Sequence, residues 1–249
     1  MTPPATQYWS VDGPTDAPPI VFLHGAIVGN IWGPQVRALR DRFRCITVDL
    51  PGHGRLASTP FSFDAAVAAV TGVIDACVQD RAIVVGLSLG GYVGMATAAA
   101  APDRVRGLVV ADASLEPSGL AGPGVLAYAL LLHWLPARLV RSVNVGLFRR
   151  AYGRAVTAEL AEGFDARAGG RSVLALVRQR FRERLRAYGG PVLILNGDRD
   201  VVFVAGERRF VAGLPNVRVE RISGAGHLSN LDRPDDFTAA IVRFAASLR

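Results

Sequence analysis

The chain has 249 residues, 50% of them hydrophobic, with a formal net charge of +7; this size and composition suit one folded domain with a sizeable core and exclude a disordered chain. All 28 basic residues are arginine, which rules out chemistry built on a phosphate-loop lysine or a Schiff-base lysine. The charge excess is local, with 12 arginines against 5 acidic residues in 113–187 and a balance elsewhere, so no nucleic-acid partner is expected.

The first ten residues are polar and proline-rich, with no basic start leading into an apolar stretch, so no secretory signal is expected. Residues 7–11 suggest a short edge strand. Strand-like runs follow at 19–23, 44–48, 82–85, 107–111, 191–196 and 217–222, short and rich in Val, Ile and Leu. They are mostly continuous rather than alternating, the pattern of strands covered on both faces in a parallel sheet. Helix-like stretches lie between and after them at 32–42, 64–79, 92–100, 204–212 and 234–248. The expected architecture is α/β, a mostly parallel sheet covered by helices on both faces.

The alternation breaks once, between Ala113 and Tyr188. There Pro123 and Pro136 bracket one apolar helix, and 137–150, 157–168 and 171–188 suggest three more. Residues 113–187 therefore read as a helical cap inserted into a core made of 1–112 and 188–249, roofing the crevice at one end of the sheet. The longest apolar run, 125–132, is too short for a bilayer span, which needs about 20 residues. Cys45 and Cys77 sit in apolar surroundings without paired spacing, so neither a disulfide framework nor a metal site is expected, and a cytoplasmic location fits.

Gly86-Leu87-Ser88-Leu89-Gly90 follows an apolar run and precedes a helical stretch, placing a serine on a strand-to-helix turn. A side chain at the tip of such a turn needs a strained backbone, and the chain can pass close by only where positions −2 and +2 lack side chains. A serine hydroxyl is a weak nucleophile that requires a base, and the base requires an orienting carboxylate. His227, in the glycine-rich loop after the last strand, is the candidate base. Asp200, after the penultimate strand, is the candidate carboxylate. Asp198 and Asp112 are its rivals, and Asp200 is favoured because Gly197 and Asp198 suit the turn that returns the loop over the site. Negative charge developing on a substrate oxygen would meet the backbone N–H groups of Ala26, after the strand-ending His24-Gly25, and of Leu89, at the start of a helix. His24 and His53 lie in glycine-flanked turns, and His133 lies in the apolar cap helix, where packing is the ordinary reading.

Taken in order, Phe22-Leu23-His24-Gly25, Asp49-Leu50-Pro51-Gly52-His53-Gly54, Gly86-Leu87-Ser88-Leu89-Gly90-Gly91, residues 197–200 and Gly224-Ala225-Gly226-His227 closely resemble the α/β-hydrolase superfamily. Within it the chain is similar to small esterases and enol-lactonases with a serine nucleophile. It departs from haloalkane dehalogenases and epoxide hydrolases, which place an aspartate where Ser88 stands. Few residues precede Pro19 to supply the usual first antiparallel strands. The resemblance implies the α/β-hydrolase fold, with 113–187 in the cap position. It also implies a hydrolase that cleaves a carboxylic ester, lactone or thioester of a small molecule through an acyl-enzyme, with Ser88, His227 and Asp200 as triad and no cofactor. Carbon–carbon bond hydrolysis, acyl transfer, a lyase step and non-catalytic binding of a small molecule are the alternatives on the same fold. Leu126, Leu130 and Trp134 of the apolar cap helix are the expected pocket wall. Arg178, Arg180, Arg182, Arg184 and Arg186 spread over several faces of a helix and are expected in solvent, with an anionic-substrate funnel as the sharper alternative.

Overall fold

A computed structural model describes residues 7–248, apart from Gln79, Leu120 and Asp165 and the side chains of His133, Glu162, Ala166 and Arg167. The expected end of the second helix at Gln79, the first six residues and the packing of His133 lie outside the described residues. Seven strands, β1 (Trp9–Asp12), β2 (Pro19–Leu23), β3 (Arg44–Val48), β4 (Ala82–Leu87), β5 (Val105–Ala111), β6 (Val192–Gly197) and β7 (Val217–Ile222), form one sheet in the order β1-β3-β2-β4-β5-β6-β7. All neighbours are parallel except β1, which pairs antiparallel with β3 at the edge. Trp9 to Asp12 thus supplies one antiparallel strand from the short segment before Pro19.

The central strands are apolar along their whole length because both faces are covered. In β2, Val21 and Leu23 point into the core shared with Ala66, Val70 and Val73 of α2 (Phe63–Cys77), whereas Ile20 and Phe22 point into the core that holds Trp32 and Leu39. Leu39 ends α1 (Gly33–Leu39). The same alternation runs through β4, β5 and β6. Ile20, Val21, Phe22 and Leu23 are all fully buried, and each such side chain stabilises the fold by about 1.5–3 kcal/mol. Directly after β4, with Ser88 alone between them, comes α3 (Leu89–Ala100).

Between β5 and β6 the chain forms α4 (Gly122–Trp134), α5 (Ala137–Glu162), α6 (Ala166–Leu176) and α7 (Phe181–Tyr188). The breaks differ from those read in the sequence. The expected helix 137–150 continues to Glu162 across a kink at Gly153, where φ is 78° and ψ 179°, a conformation that glycine adopts without steric cost. The expected helix 171–188 is broken after Leu176, and α7 restarts because the Glu116 carboxylate accepts hydrogen bonds from the N–H groups of Phe181 and Arg182, at 3.0 Å each. That cap comes from more than sixty residues upstream, so no local pattern announces it. Then α8 (Val201–Val211) follows β6, and α9 (Ser229–Asp232), which the sequence pattern did not suggest, precedes α10 (Pro234–Ser247).

Candidate active site

Ser88 sits between β4 and α3 with φ 52° and ψ −116°, a region that costs a residue with a side chain on the order of 1–3 kcal/mol. The surroundings hold it there. A Cβ on Gly86 would collide with the carbonyl of Gly90, and one on Gly90 with the carbonyl of Leu23. Ser88 N–H donates to Ala111 O at 2.8 Å, and the Ser88 carbonyl accepts from Gly91 and Tyr92 in the first turn of α3. The strain lifts the hydroxyl towards the carboxyl ends of the strands, where two other loops meet it.

His227 Nε2 lies 3.1 Å from Ser88 Oγ, and His227 Nδ1 lies 2.7 Å from Asp200 Oδ2. A carboxylate only accepts, so Nδ1 carries the proton and Nε2 presents a lone pair to the serine hydroxyl. Asp200 is buried at the start of α8. From the same helix Phe203 stacks on the imidazole, with centroids 5.2 Å apart and planes within 15°. Asp198 faces away, accepting from Gly224 N–H at 2.8 Å, which closes the turn between the two loops. The histidine loop is tied on its other side. Asp232 accepts from Gly226 N–H at 2.7 Å and from the Tyr152 hydroxyl of α5 at 2.6 Å. Burial acts to lower the imidazole pKa, but the Asp200 hydrogen bond and the charges of Asp112 and Asp200 outweigh it and leave it above the ordinary 6.5.

Asp112 does not touch the imidazole; it joins the loops that carry the other two groups. Fully buried at the end of β5 with φ 47°, it accepts from Gly197 N–H at 2.8 Å, from Ser229 Oγ–H at 2.5 Å and from Ser229 N–H at 3.3 Å. Burial pushes its carboxyl up to about 7, against the pull of His227 and these hydrogen bonds. The folded value lies above the ordinary carboxylate value of 3.8, so its stabilising contribution is fully present below about pH 4 and lost as the pH rises through about 7. Chemical denaturation at about pH 5 and about pH 8 is expected to show stability falling across this window, with a shallower fall in Asp112→Asn.

The turn after β2 is held by two histidines. His24 Nδ1–H donates to Gly25 O at 2.7 Å while its Nε2 accepts from Leu50 N–H at 3.0 Å, which fixes the neutral tautomer. Burial, then the neighbouring His53, pushes the His24 pKa down to about 4. His53 Nε2 lies 2.8 Å from Ala26 O, and the two imidazoles meet edge to face at 4.9 Å. The peptide whose N–H belongs to Ala26 is thus pinned at its carbonyl. Leu89, first in α3, carries one of the N–H groups that a helix leaves without an i−4 partner. Gly25 runs beside the serine, since a Cβ there would stand 3.8 Å from Ser88 Cβ.

Two cavities open on Ser88 and His227. The larger, about 620 Å³, is mostly apolar and walled by Leu115, Val125, Tyr128, Val173 and Leu176. The smaller, about 220 Å³, runs past Ala26, Ile27, Asn144 and Phe148. The expected wall residues are elsewhere. Leu126, Leu130 and Trp134 are 38%, 43% and 79% exposed and line neither cavity, which take Val125 and Tyr128 from the same helix. A helix that is apolar nearly all round carries no periodic signal to say which face turns inward. Nor does any of Arg178, Arg180, Arg182, Arg184 and Arg186 line these cavities. Arg180 pairs with Glu183, Arg182 donates to Ala212 O, and Arg184 donates to Gln179. Sequence reasoning passed over the roles of His24, His53 and Phe203. The first two stood in quoted motifs, yet only the fold shows what their rings hold. No cluster of three His, Cys, Asp or Glu suited to a metal occurs among the described residues.

The model of the alpha/beta hydrolase family matches residues 20–241. A pimeloyl-[acyl-carrier protein] methyl ester esterase of Xanthomonas oryzae pv. oryzae is 30% identical, covering 93% of this chain and 96% of its own. The 3-oxoadipate enol-lactonase 1 of Acinetobacter baylyi is 25% identical over 96% of this chain and 92% of its own. The crystal structure of the enol-lactonase from Burkholderia xenovorans LB400 superposes with a TM-score of 0.78 at 23% identity, covering 96% of this chain and 95% of that one.

Proposed function

This chain belongs to the alpha/beta hydrolase family, and on that premise we propose that it hydrolyses a carboxylic ester, lactone or thioester of a small molecule through an acyl-enzyme on Ser88. The observation that carries the reading is the unbroken chain from Ser88 Oγ through His227 to Asp200, at 3.1 and 2.7 Å. Ser88 Oγ attacks the substrate carbonyl carbon and its proton passes to His227 Nε2. The carbonyl oxygen takes the electron pair as an oxyanion, met by the N–H groups of Ala26 and Leu89. As the tetrahedral adduct collapses, the bond to the leaving alcohol or thiol breaks and His227 returns the proton to it. Water then attacks the acyl-enzyme with His227 as base, and the carboxylic acid leaves with Ser88 restored.

Asp200 holds the tautomer and stabilises the imidazolium that forms. Residues 113–187 act as a cap, since Val125, Tyr128 and Val173 wall the larger cavity. The two cavities divide the substrate into an apolar part in the larger space and a smaller part beside Ala26. The names of the curated relatives, a methyl ester esterase and an enol-lactonase, support carbonyl–oxygen cleavage as the chemistry.

A fluorophosphonate probe, which is attacked by an activated serine, tests the proposal directly. The expected result is one adduct per chain on the peptide containing Ser88, located by mass spectrometry. An unlabelled protein, or label on another residue, overturns it. Catalysis requires neutral His227, whose pKa lies above 6.5. The kcat/KM of ester turnover is therefore expected to fall as the pH drops through that raised value, measured as a pH profile.

A further inference from the structure

The outer face of the helices between β5 and β6 is unusual for a protein surface in two ways at once. It is apolar where it should be polar: Leu126, Leu130, Leu131 and Trp134 of α4 are 38%, 43%, 54% and 79% exposed. Along α5, Leu139, Val143 and Leu147 recur every four residues at 52–55% exposure, forming one stripe. It is also charged with one sign. Residues 117–158 contain Arg138, Arg141, Arg149, Arg150 and Arg154 and no acidic residue at all. All five arginines are exposed, and Arg149 and Arg150 line a groove of about 650 Å³ with Val143, Val145 and Leu147. Large apolar side chains exposed in such number on two successive helices mark an interaction site.

We propose that α4 and the first half of α5 seat the protein on an anionic lipid surface. The leucines and Trp134 enter the acyl boundary and the arginines meet the headgroup phosphates, the division of labour that interfacial helices use. Charge selects this occupant. A second copy of the chain meeting this face on a two-fold axis would bring the same five arginines against their own images, with no acidic side chain in the segment to pair them. Side-chain chemistry selects it again over an acidic protein. Among the described side chains of α4 only Tyr128 and Trp134 carry a polar atom, whereas a protein interface makes about one hydrogen bond per 100–200 Å². Among the described residues no single helix is long and apolar enough to cross a membrane, and α4 and α5 reach the length and composition of a span only when counted together across a bend of 107°. The position also has a use. The helix that would touch lipid supplies Val125 and Tyr128 to the cavity beside Ser88, so an apolar acyl ester dissolved in the lipid would lie next to that cavity.

Binding is independent of the chemistry at Ser88, so the test uses the full chain carrying Ser88→Ala, with sedimentation of phosphatidylglycerol and phosphatidylcholine vesicles. The protein is expected to pellet with phosphatidylglycerol, to remain in solution with phosphatidylcholine, and to be released by high salt. Arg149→Glu with Arg150→Glu is expected to weaken binding by at least about tenfold, and Leu131→Ser with Trp134→Ser to weaken it comparably, with circular dichroism reporting that each variant is folded. The charge pair alone decides the matter if the apolar pair does not fold. Failure to bind phosphatidylglycerol, equal binding to phosphatidylcholine, or binding that folded variants leave unchanged overturns the proposal. So does a dimer in light scattering that Leu131→Ser with Trp134→Ser abolishes, or retention on immobilised polyglutamate that the same pair abolishes; these assign the face to a second copy or to an acidic protein.

Discussion

Asp200→Asn is expected to lower kcat for a chromogenic ester by about 10⁴-fold with KM little changed, while Asp198→Asn stays within a few-fold of the parent. The two residues share one loop, and their different partners set the difference. Asp200 Oδ2 accepts from His227 Nδ1 at 2.7 Å, and an asparagine there can present its NH₂ to the ring, forcing the proton onto Nε2, where it blocks the serine hydroxyl. The charge that stabilises the imidazolium is lost as well. Asp198 Oδ1 accepts from Gly224 N–H, a task the amide carbonyl of asparagine performs equally. Steady-state kinetics of the two variants checks this, and equal losses at both positions would refute the assignment. Asp112→Asn belongs between them, because Asp112 makes no hydrogen bond to the imidazole and acts on it through its charge and through the two loops that it ties together.

Ser88, Asp200 and His227 were legible because each depends on a rule that sequence carries. In a parallel sheet the residues just after strands gather on one edge, and strands covered on both faces announce themselves as apolar runs. What stayed hidden depends on neighbours distant in sequence. Asp112 showed only an acid at a strand end, the same signal as Asp200; its clamp exists because β5 lies between β4 and β6 in the sheet. Likewise α7 begins where Glu116 reaches it. For α4 the obstacle was different. Its near-uniform apolarity marks the element and gives no direction, so the sequence points to Leu126, Leu130 and Trp134 as wall, whereas Val125 and Tyr128 line the cavity.

Replacing His24 by alanine is expected to lower kcat by about 10²-fold, the scale of losing one aimed oxyanion donor. The side chain never touches substrate in the proposed mechanism; it is a positioning residue. Its Nδ1–H holds Gly25 O at 2.7 Å, and because a peptide unit is planar and trans, fixing that carbonyl fixes the direction of the Ala26 N–H on its other side. The lock is one-directional. Nε2 is engaged by Leu50 N–H, and with its pKa pushed down to about 4 by burial and His53 the ring keeps this tautomer through neutral pH. Alanine also leaves the Leu50 N–H without its acceptor, at a cost of about 1–3 kcal/mol, so a stability loss is expected whether or not the aiming argument holds. The kinetic split separates the two effects. A misaimed donor lowers kcat and the rate of fluorophosphonate labelling together, since both reactions build negative charge on the same oxygen, while KM changes little. A variant that melts earlier yet turns over and labels at the parental rate would show that His24 serves the fold alone.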